Sequence, residues 1–500
     1  MNHAVRPTAP LGLARPMLRG CVVAAALAVS ASAQSDSAGA QPGALALLSV
    51  PTHLLVEAVL LATIVYLLIQ KSYQPRDKDK TPLTPKEVDM LCKEWEPEPL
   101  APPDVMSKAL PKHILSGEGG PTAVVNGAEV INLASMNFLG LSCDKSVEDA
   151  CVDALNKYGC GSCGPRGFYG TIDVHLELEE RIAEFIGTED AILYSYDVAT
   201  PSSVVPAFAK RGDIVVCDEA VSYPLMNGIV LSRSTMHTFR HNDMQDLERV
   251  LQQIAASDKR RGRKKVTNRR FIVTEGVFAK TGDLAPLPQL VALKERYRYR
   301  LIVEDSLAVG VLGRTGRGTA EHFDIDPHRV DIITASLSNS LGSIGGFCCG
   351  TKKIVDHQRL NGLGYCFSAS LPPFLASAAI AAIDRIVSAP VIVTELQDNA
   401  RYFRQELCKA KGLTVDAEAP PAAVYIYVDG VEDAGTLGRI ADACLARGVF
   451  LCGAQQWSPL ERWLPERPCL RAFVCALHTR QQLKTAAATI GACAQKCRRK

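Results

Sequence analysis

Short β-branched runs recur through the middle of the chain: AILYS (191–195), DIVVC (213–217), FIVTEG (271–276), RLIVED (300–305), DIITAS (331–336) and GFCCG (346–350), with helical stretches between them. Strands that alternate with helices in this way predict a mostly parallel α/β sheet covered by helices on both faces. After about residue 390 the pattern changes. Long amphipathic helices mix with the strands AVYIYVDG (423–430) and LRAFVCA (470–476), which predicts a smaller α+β domain.

Ahead of this body lies a run of different character, LLVEAVLLATIVYLLI over Leu54 to Ile69, preceded by Pro51, Thr52 and His53 and ending at Gln70-Lys71. It predicts one transmembrane or deeply interfacial helix, at the short end of the roughly 20 residues a span needs, with Glu57 at a headgroup boundary or facing protein. Lys71, Arg76, Lys78 and Lys80 follow it, so the positive-inside tendency puts the large body in the cytosol. The expected organisation is a signal-like or disordered leader (1–50), a transmembrane helix (51–70), a linker and docking arm (71–111), a large domain (112–388) whose N-terminal segment contributes to the small domain, and a small domain (389–500). In the arm, TPLTPKEVDMLCKEW reads as a capped helix and EPEPLAPP as a stiff strap. The leader, with Arg6, Arg15 and Arg19 before an apolar stretch and Ala31-Ser32-Ala33, has a signal-peptide layout; an organellar transit peptide and an unstructured Ala-rich leader stay open.

Composition narrows the function. A net charge of +2 over 500 residues gives no global pull toward nucleic acid. The 17 cysteines are scattered, and no Asn-x-Ser/Thr acceptor occurs, as expected of a body kept in a reducing compartment. The run KRRGRKKVTNRR (259–270) reads as a solvated loop, with contact to anionic lipid headgroups as its functional alternative. Cys160 and Cys163 have CxxC spacing without a second pair or nearby His, so a packing role for Cys163 outweighs a metal or redox one.

Several segments carry a resemblance together: NFLGL (137–141), YGCGSCGPRGFYGTIDVHLELE (158–179), HND (241–243), EG with GDLAPLP (275–288), GVLGRTGRG (310–318), SIGGFCCG (343–350) and YCFSASLPP (365–373). In these the chain resembles the α-oxoamine synthase family of fold-type I pyridoxal-phosphate enzymes, and more closely the serine palmitoyltransferase branch whose subunit lacks catalytic residues. The resemblance implies a large domain on a mostly parallel seven-stranded sheet. It also implies three groups at the cofactor: an imine-forming lysine, a carboxylate for the pyridine nitrogen and a ring stacked on the cofactor face.

The chain departs from each. Asn339 stands where the lysine belongs, and no lysine lies between Lys294 and Lys352. Glu304 takes the carboxylate position, Leu307 replaces an imidazole, and Ser222 replaces the stacking ring; Asp305 sits one step along the strand and is expected on the other face. What survives is material the fold shares across a dimer interface. The Gly-rich loop with Cys163 and Arg166, and the hydroxyls of Ser368 and Ser370, are the candidates for completing a neighbour's site, while His175 and His241 are expected to be structural.

The resemblance therefore implies a non-catalytic subunit in the endoplasmic-reticulum membrane. Its expected partners are a lysine-bearing catalytic subunit that holds pyridoxal 5'-phosphate covalently, membrane lipids, and small activating and regulatory membrane subunits, with no nucleic acid. Two alternatives stay open: a self-sufficient synthase that binds the cofactor non-covalently or through another lysine, and a homodimeric pseudoenzyme that senses acyl-CoA or sphingolipid.

Overall fold

The computed structural model describes residues 52–69, 84–97, 100, 113–260, 268–453 and 467–498. The leader, most of the linker with its strap and basic residues, and positions 261–267 of the basic run lie outside the described residues.

Thr52–Ile69 is helical, and the apolar side chains of Val56, Val59, Leu60, Leu61 and Ile64 are all exposed. The Thr63 hydroxyl is satisfied within the helix by the Val59 carbonyl at 2.7 Å. At 1.5 Å per residue the helix is about 27 Å long, just under a hydrocarbon core of about 30 Å. Among the described residues no single helix is long and apolar enough to cross a membrane. Pro85–Glu94 forms the helix expected in the docking arm. Its capping box is complete, with the Glu87 N–H donating to Thr84 Oγ1 and the Thr84 N–H donating to Glu87 at 2.7 Å.

In the main body, β1 (Leu115–Ser116), β2 (Thr122–Val125) and β3 (Ala128–Leu133) precede the central strands β4 (Asp190–Tyr194), β5 (Ile214–Asp218), β6 (Thr235–Phe239), β7 (Arg270–Glu275), β8 (Arg300–Glu304), β9 (Ile332–Ser336) and β10 (Gly346–Gly350). The central sheet has seven strands in the order β4-β10-β9-β8-β7-β5-β6. Only β10 runs antiparallel to its neighbours, β4 and β9; the other pairings are parallel. The mostly parallel sheet predicted from the sequence is thus present, with β6 as an additional edge strand. Its sequence, TMHTF, is only partly buried and lacks the apolar run that marks the inner strands.

This topology matters for the site because the C-terminal ends of β4, β5, β7, β8 and β9 fall along one edge of the sheet. They present Tyr194, Asp218, Glu275, Glu304 and Ser336 there, and the reversed β10 contributes its first residue, Gly346, paired with both Tyr194 and Ser336. In open α/β sheets this edge is where ligands bind.

Helices seal the sheet by helical-period stripes. Asp173–Ile186, for example, buries Val174, Leu178, Ile182 and Ile186 on one face, each contributing roughly 1.5–3 kcal/mol by removal from water. The remaining strands are β11 (Leu413–Thr414), β12 (Ala423–Val428), β13 (Val449–Leu451) and β14 (Leu470–Phe473). They form an antiparallel sheet β11-β12-β14 and, through β13 parallel to β3, a second sheet β1-β2-β3-β13.

Candidate functional site

At the C-terminal edge the sequence-selected positions form one connected set. The Asn339 side-chain amide donates to the main-chain carbonyl of Ser306 at 2.9 Å, and the main-chain carbonyl of Asn339 accepts the Phe138 N–H at 3.0 Å. Asn339 is therefore a brace between three loops. Ser306 also donates its hydroxyl to Glu304. Glu304 is paired in register with Glu275 on the neighbouring strand, and Glu275 accepts the Ser222 N–H and, at 2.9 Å, the Ala279 N–H. Lys280 donates to the Val221 carbonyl at 3.0 Å, next to Ser222. Leu307 is buried and supplies no polar atom.

Two buried acids side by side cannot both ionise cheaply. Burial raises the Glu275 carboxyl to about 7 against the two N–H bonds it accepts. Burial, and then the charge of Glu275, raise Glu304 to about 8. Burial and the neighbouring Glu275 charge thus favour the protonated form of Glu304. Asp305 faces elsewhere, as alternation along the strand requires: it accepts Thr319 N–H at 2.9 Å and Thr319 Oγ1–H at 2.5 Å, and burial lifts its carboxyl to about 6.

A further acid, not singled out from the sequence, lies between the ends of β4 and β9. Asp197 accepts the Gly345 N–H at 3.0 Å and the hydroxyls of both Ser336, at 2.5 Å, and Ser338. It sits just before the helix Ala199–Phe208, whose Thr200 N–H bonds the Asp197 carbonyl at 3.1 Å. Nothing in the local sequence marks it, since an acid after a strand is also ordinary turn chemistry. These residues do not fit a covalently held pyridoxal phosphate: Asn339 is an amide already in use, Leu307 offers no polar atom, no ring is present at Ser222, and the hydroxyls of Ser336 and Ser338 are taken by Asp197.

The second group of candidates lies in the Gly-rich loop, which runs without regular structure from Gly159 to Ile172. Ser370 binds it twice, its N–H and its hydroxyl each meeting the Gly164 carbonyl at 2.9 Å, and Ser162 returns a bond to the Ser370 carbonyl at 2.8 Å. A Cβ on Gly170 would fall on the Gly164 carbonyl, so glycine is required there. Arg166 is buried, with Nη1 and Nη2 on the two Glu179 oxygens and Nε on Thr171 at 3.1 Å. His175 accepts the Ile172 N–H at Nδ1 and bonds the Leu371 carbonyl through Nε2 at 2.6 Å, which makes it the neutral Nε2–H tautomer; burial lowers its pKa further. The hydroxyls and guanidinium offered as candidates for a neighbour's site are, at Arg166 and Ser370, spent within the chain. Ser368 makes only a local bond to Ala369 at 3.2 Å, and Cys163 is exposed with φ +61°. Around them Phe168, Tyr169, Tyr196, Leu363 and Phe367 project exposed apolar surface.

His241 is structural. Its ring lies between Asp218 and Asp283, 3.0 Å from each, edge-on to Phe278. Burial pulls its pKa down, but the bonds and charges of the two carboxylates outweigh this and raise it to about 9.

A mixed seven-stranded sheet with its candidate site at the strand C-terminal ends defines a fold-type I pyridoxal-phosphate-dependent transferase fold. Residues 128–490 match the aminotransferase class I and II family. Among curated relatives, long chain base biosynthesis protein 1b of Oryza sativa subsp. japonica is 45% identical over 437 residues, covering 86% of this chain and 89% of the relative. Serine palmitoyltransferase 1 of Dictyostelium discoideum is 40% identical over 459 residues, covering 89% and 94%. A solved structure of Sphingomonas wittichii serine palmitoyltransferase superposes with TM-score 0.70 at 26% identity, covering 79% of this chain and 95% of that one. The chain belongs to the serine palmitoyltransferase 1 and long chain base biosynthesis protein 1 family.

Proposed function

We propose that this chain is the non-catalytic, stabilising and regulatory subunit of serine palmitoyltransferase, the enzyme that opens sphingolipid biosynthesis by condensing L-serine with palmitoyl-CoA to give 3-ketosphinganine, carbon dioxide and CoA. Pyridoxal 5'-phosphate is held covalently by a lysine-bearing partner, and this chain completes that partner's active site.

The observation that carries the reading is the Asn339 amide bonded to Ser306 where an amine would be needed: an amide forms no imine, and this one is already committed to holding the loops. The exposed apolar rim of the Gly-rich loop and the 363–371 segment supports an interface at that edge. The exposed apolar face of Thr52–Ile69 supports anchorage in a membrane, which the resemblance makes that of the endoplasmic reticulum, and Lys71, Arg76, Lys78 and Lys80 after it support a body in the cytosol.

The test is to express the chain with and without a lysine-bearing homologue, purify each by a tag on this chain, and assay the condensation. Turnover in the co-purified pair alone is expected; turnover by the chain alone would overturn the reading.

A further inference from the structure

The carboxylate of Asp197 lies where an anion would be expected to arrive from outside. Its surroundings have the make-up of an anion cradle: the start of a ten-residue helix, Ala199–Phe208, the backbone N–H of Gly345, and two hydroxyls from Ser336 and Ser338, all at the C-terminal edge of the sheet. Gly345 can present its N–H because it adopts φ +99° under the Tyr194 carbonyl, which a Cβ would meet at 2.6 Å. The hydroxyls are ordered as well: the Ser338 N–H donates to Ser336 Oγ at 2.9 Å, and the two Oγ atoms are 2.6 Å apart, so one hydroxyl can hand its proton to the other while the pair stays directed at Asp197.

We infer that this is an anion-binding site occupied by the chain's own side chain: Asp197 is a built-in surrogate for a phosphate group and keeps phosphate monoesters out of this subunit's cradle. Two physical effects act together. The carboxylate takes the Gly345 N–H and the paired serine hydroxyls in charge-assisted bonds, and an intramolecular ligand competes at an effective concentration that a free metabolite seldom reaches. Its negative charge would also repel an incoming phosphate at contact distance. A lysine at position 339 would therefore not restore a working site, because the phosphate end of any cofactor would still have no place.

The inference deepens the proposed function but stands on contacts within this chain, and its readout involves no turnover, so the two can fail separately. The test compares the full-length chain with its Asp197→Gly variant for binding of inorganic phosphate and of pyridoxal 5'-phosphate, with pyridoxal lacking the phosphate as control, followed by ³¹P line broadening and by ligand-induced shifts of the unfolding midpoint. Phosphate and the phosphorylated compound are expected to bind the variant saturably and at least about ten-fold more tightly than the parent, because a vacated cradle regains its donors, whereas unphosphorylated pyridoxal gains nothing. If Asp197→Gly does not fold, Asp197→Ser is read by the same criterion. Equal phosphate binding by parent and variant, or a folded variant with no saturable phosphate binding, would overturn the inference.

Discussion

Arg166 and Glu179 face each other through two parallel N–H···O bonds of 2.9 and 3.0 Å, with each side chain only 4% exposed. The pair ties the Gly-rich loop to the helix Asp173–Ile186. Glu179 is further bound by Arg359 at 3.4 Å and by the Leu193 N–H of β4 at 3.1 Å.

Removing the acid leaves a buried guanidinium without its counter-charge. Glu179→Ala is expected to cost about 3–5 kcal/mol of unfolding free energy, with the double change Arg166→Met, Glu179→Leu recovering much of it. Denaturant titration of the three proteins checks this; a loss below about 1 kcal/mol for Glu179→Ala would show that the pair does not anchor the loop.

Returning an amine to position 339 should not create a catalytic lysine. With no ring at Ser222 and Asp197 filling the cradle, Asn339→Lys is expected to yield no borohydride-trapped pyridoxyl-lysine in peptide mass analysis. Trapping at position 339 would mean that the remaining pocket still fits the cofactor.

Cys163 has a left-handed backbone, is exposed, and neighbours the Gly164 carbonyl that Ser370 holds. Cys163→Trp is expected to lower condensation by the co-purified pair roughly ten- to a hundred-fold, or to relax its amino-acid choice, while the pair still elutes together. Unchanged kcat and KM would remove the loop from the neighbour's site.

The His241 clamp gives stability a pH signature. Its folded pKa, about 9, lies above the unfolded value, about 6.5, so its stabilisation is fully present below about 6.5 and is lost as pH rises through 9. Glu275 and Glu304, raised to about 7 and about 8, weaken the fold in the same direction as they ionise. His241→Gln isolates the clamp: the stability gap between parent and variant should narrow between pH 7 and pH 10, and a constant gap would contradict the ion-pair reading.

The sheet was legible because inner strands of a parallel sheet are apolar on both faces, which leaves compact runs such as DIVVC and DIITAS. Asp197 was not legible in the sequence: its partners lie 139 to 148 positions further along the chain, and only the folded topology places β10 between β4 and β9. For the same reason Arg166 and Ser370, read as groups for a neighbour, are bonded inside their own chain. Sequence places a side chain in a loop but does not say which way its donors turn.

The Gly-rich loop, fastened by Ser162, Ser370 and Arg166, has a kinetic consequence. A segment of this length without regular structure would ordinarily have to be ordered at the moment of association, which slows productive encounters and weakens the complex. Here the loop is already shaped by bonds within its own chain. A partner docking at this edge would meet a preformed relief, with Phe168 and Tyr169 standing out from it, and could associate as one rigid body with another.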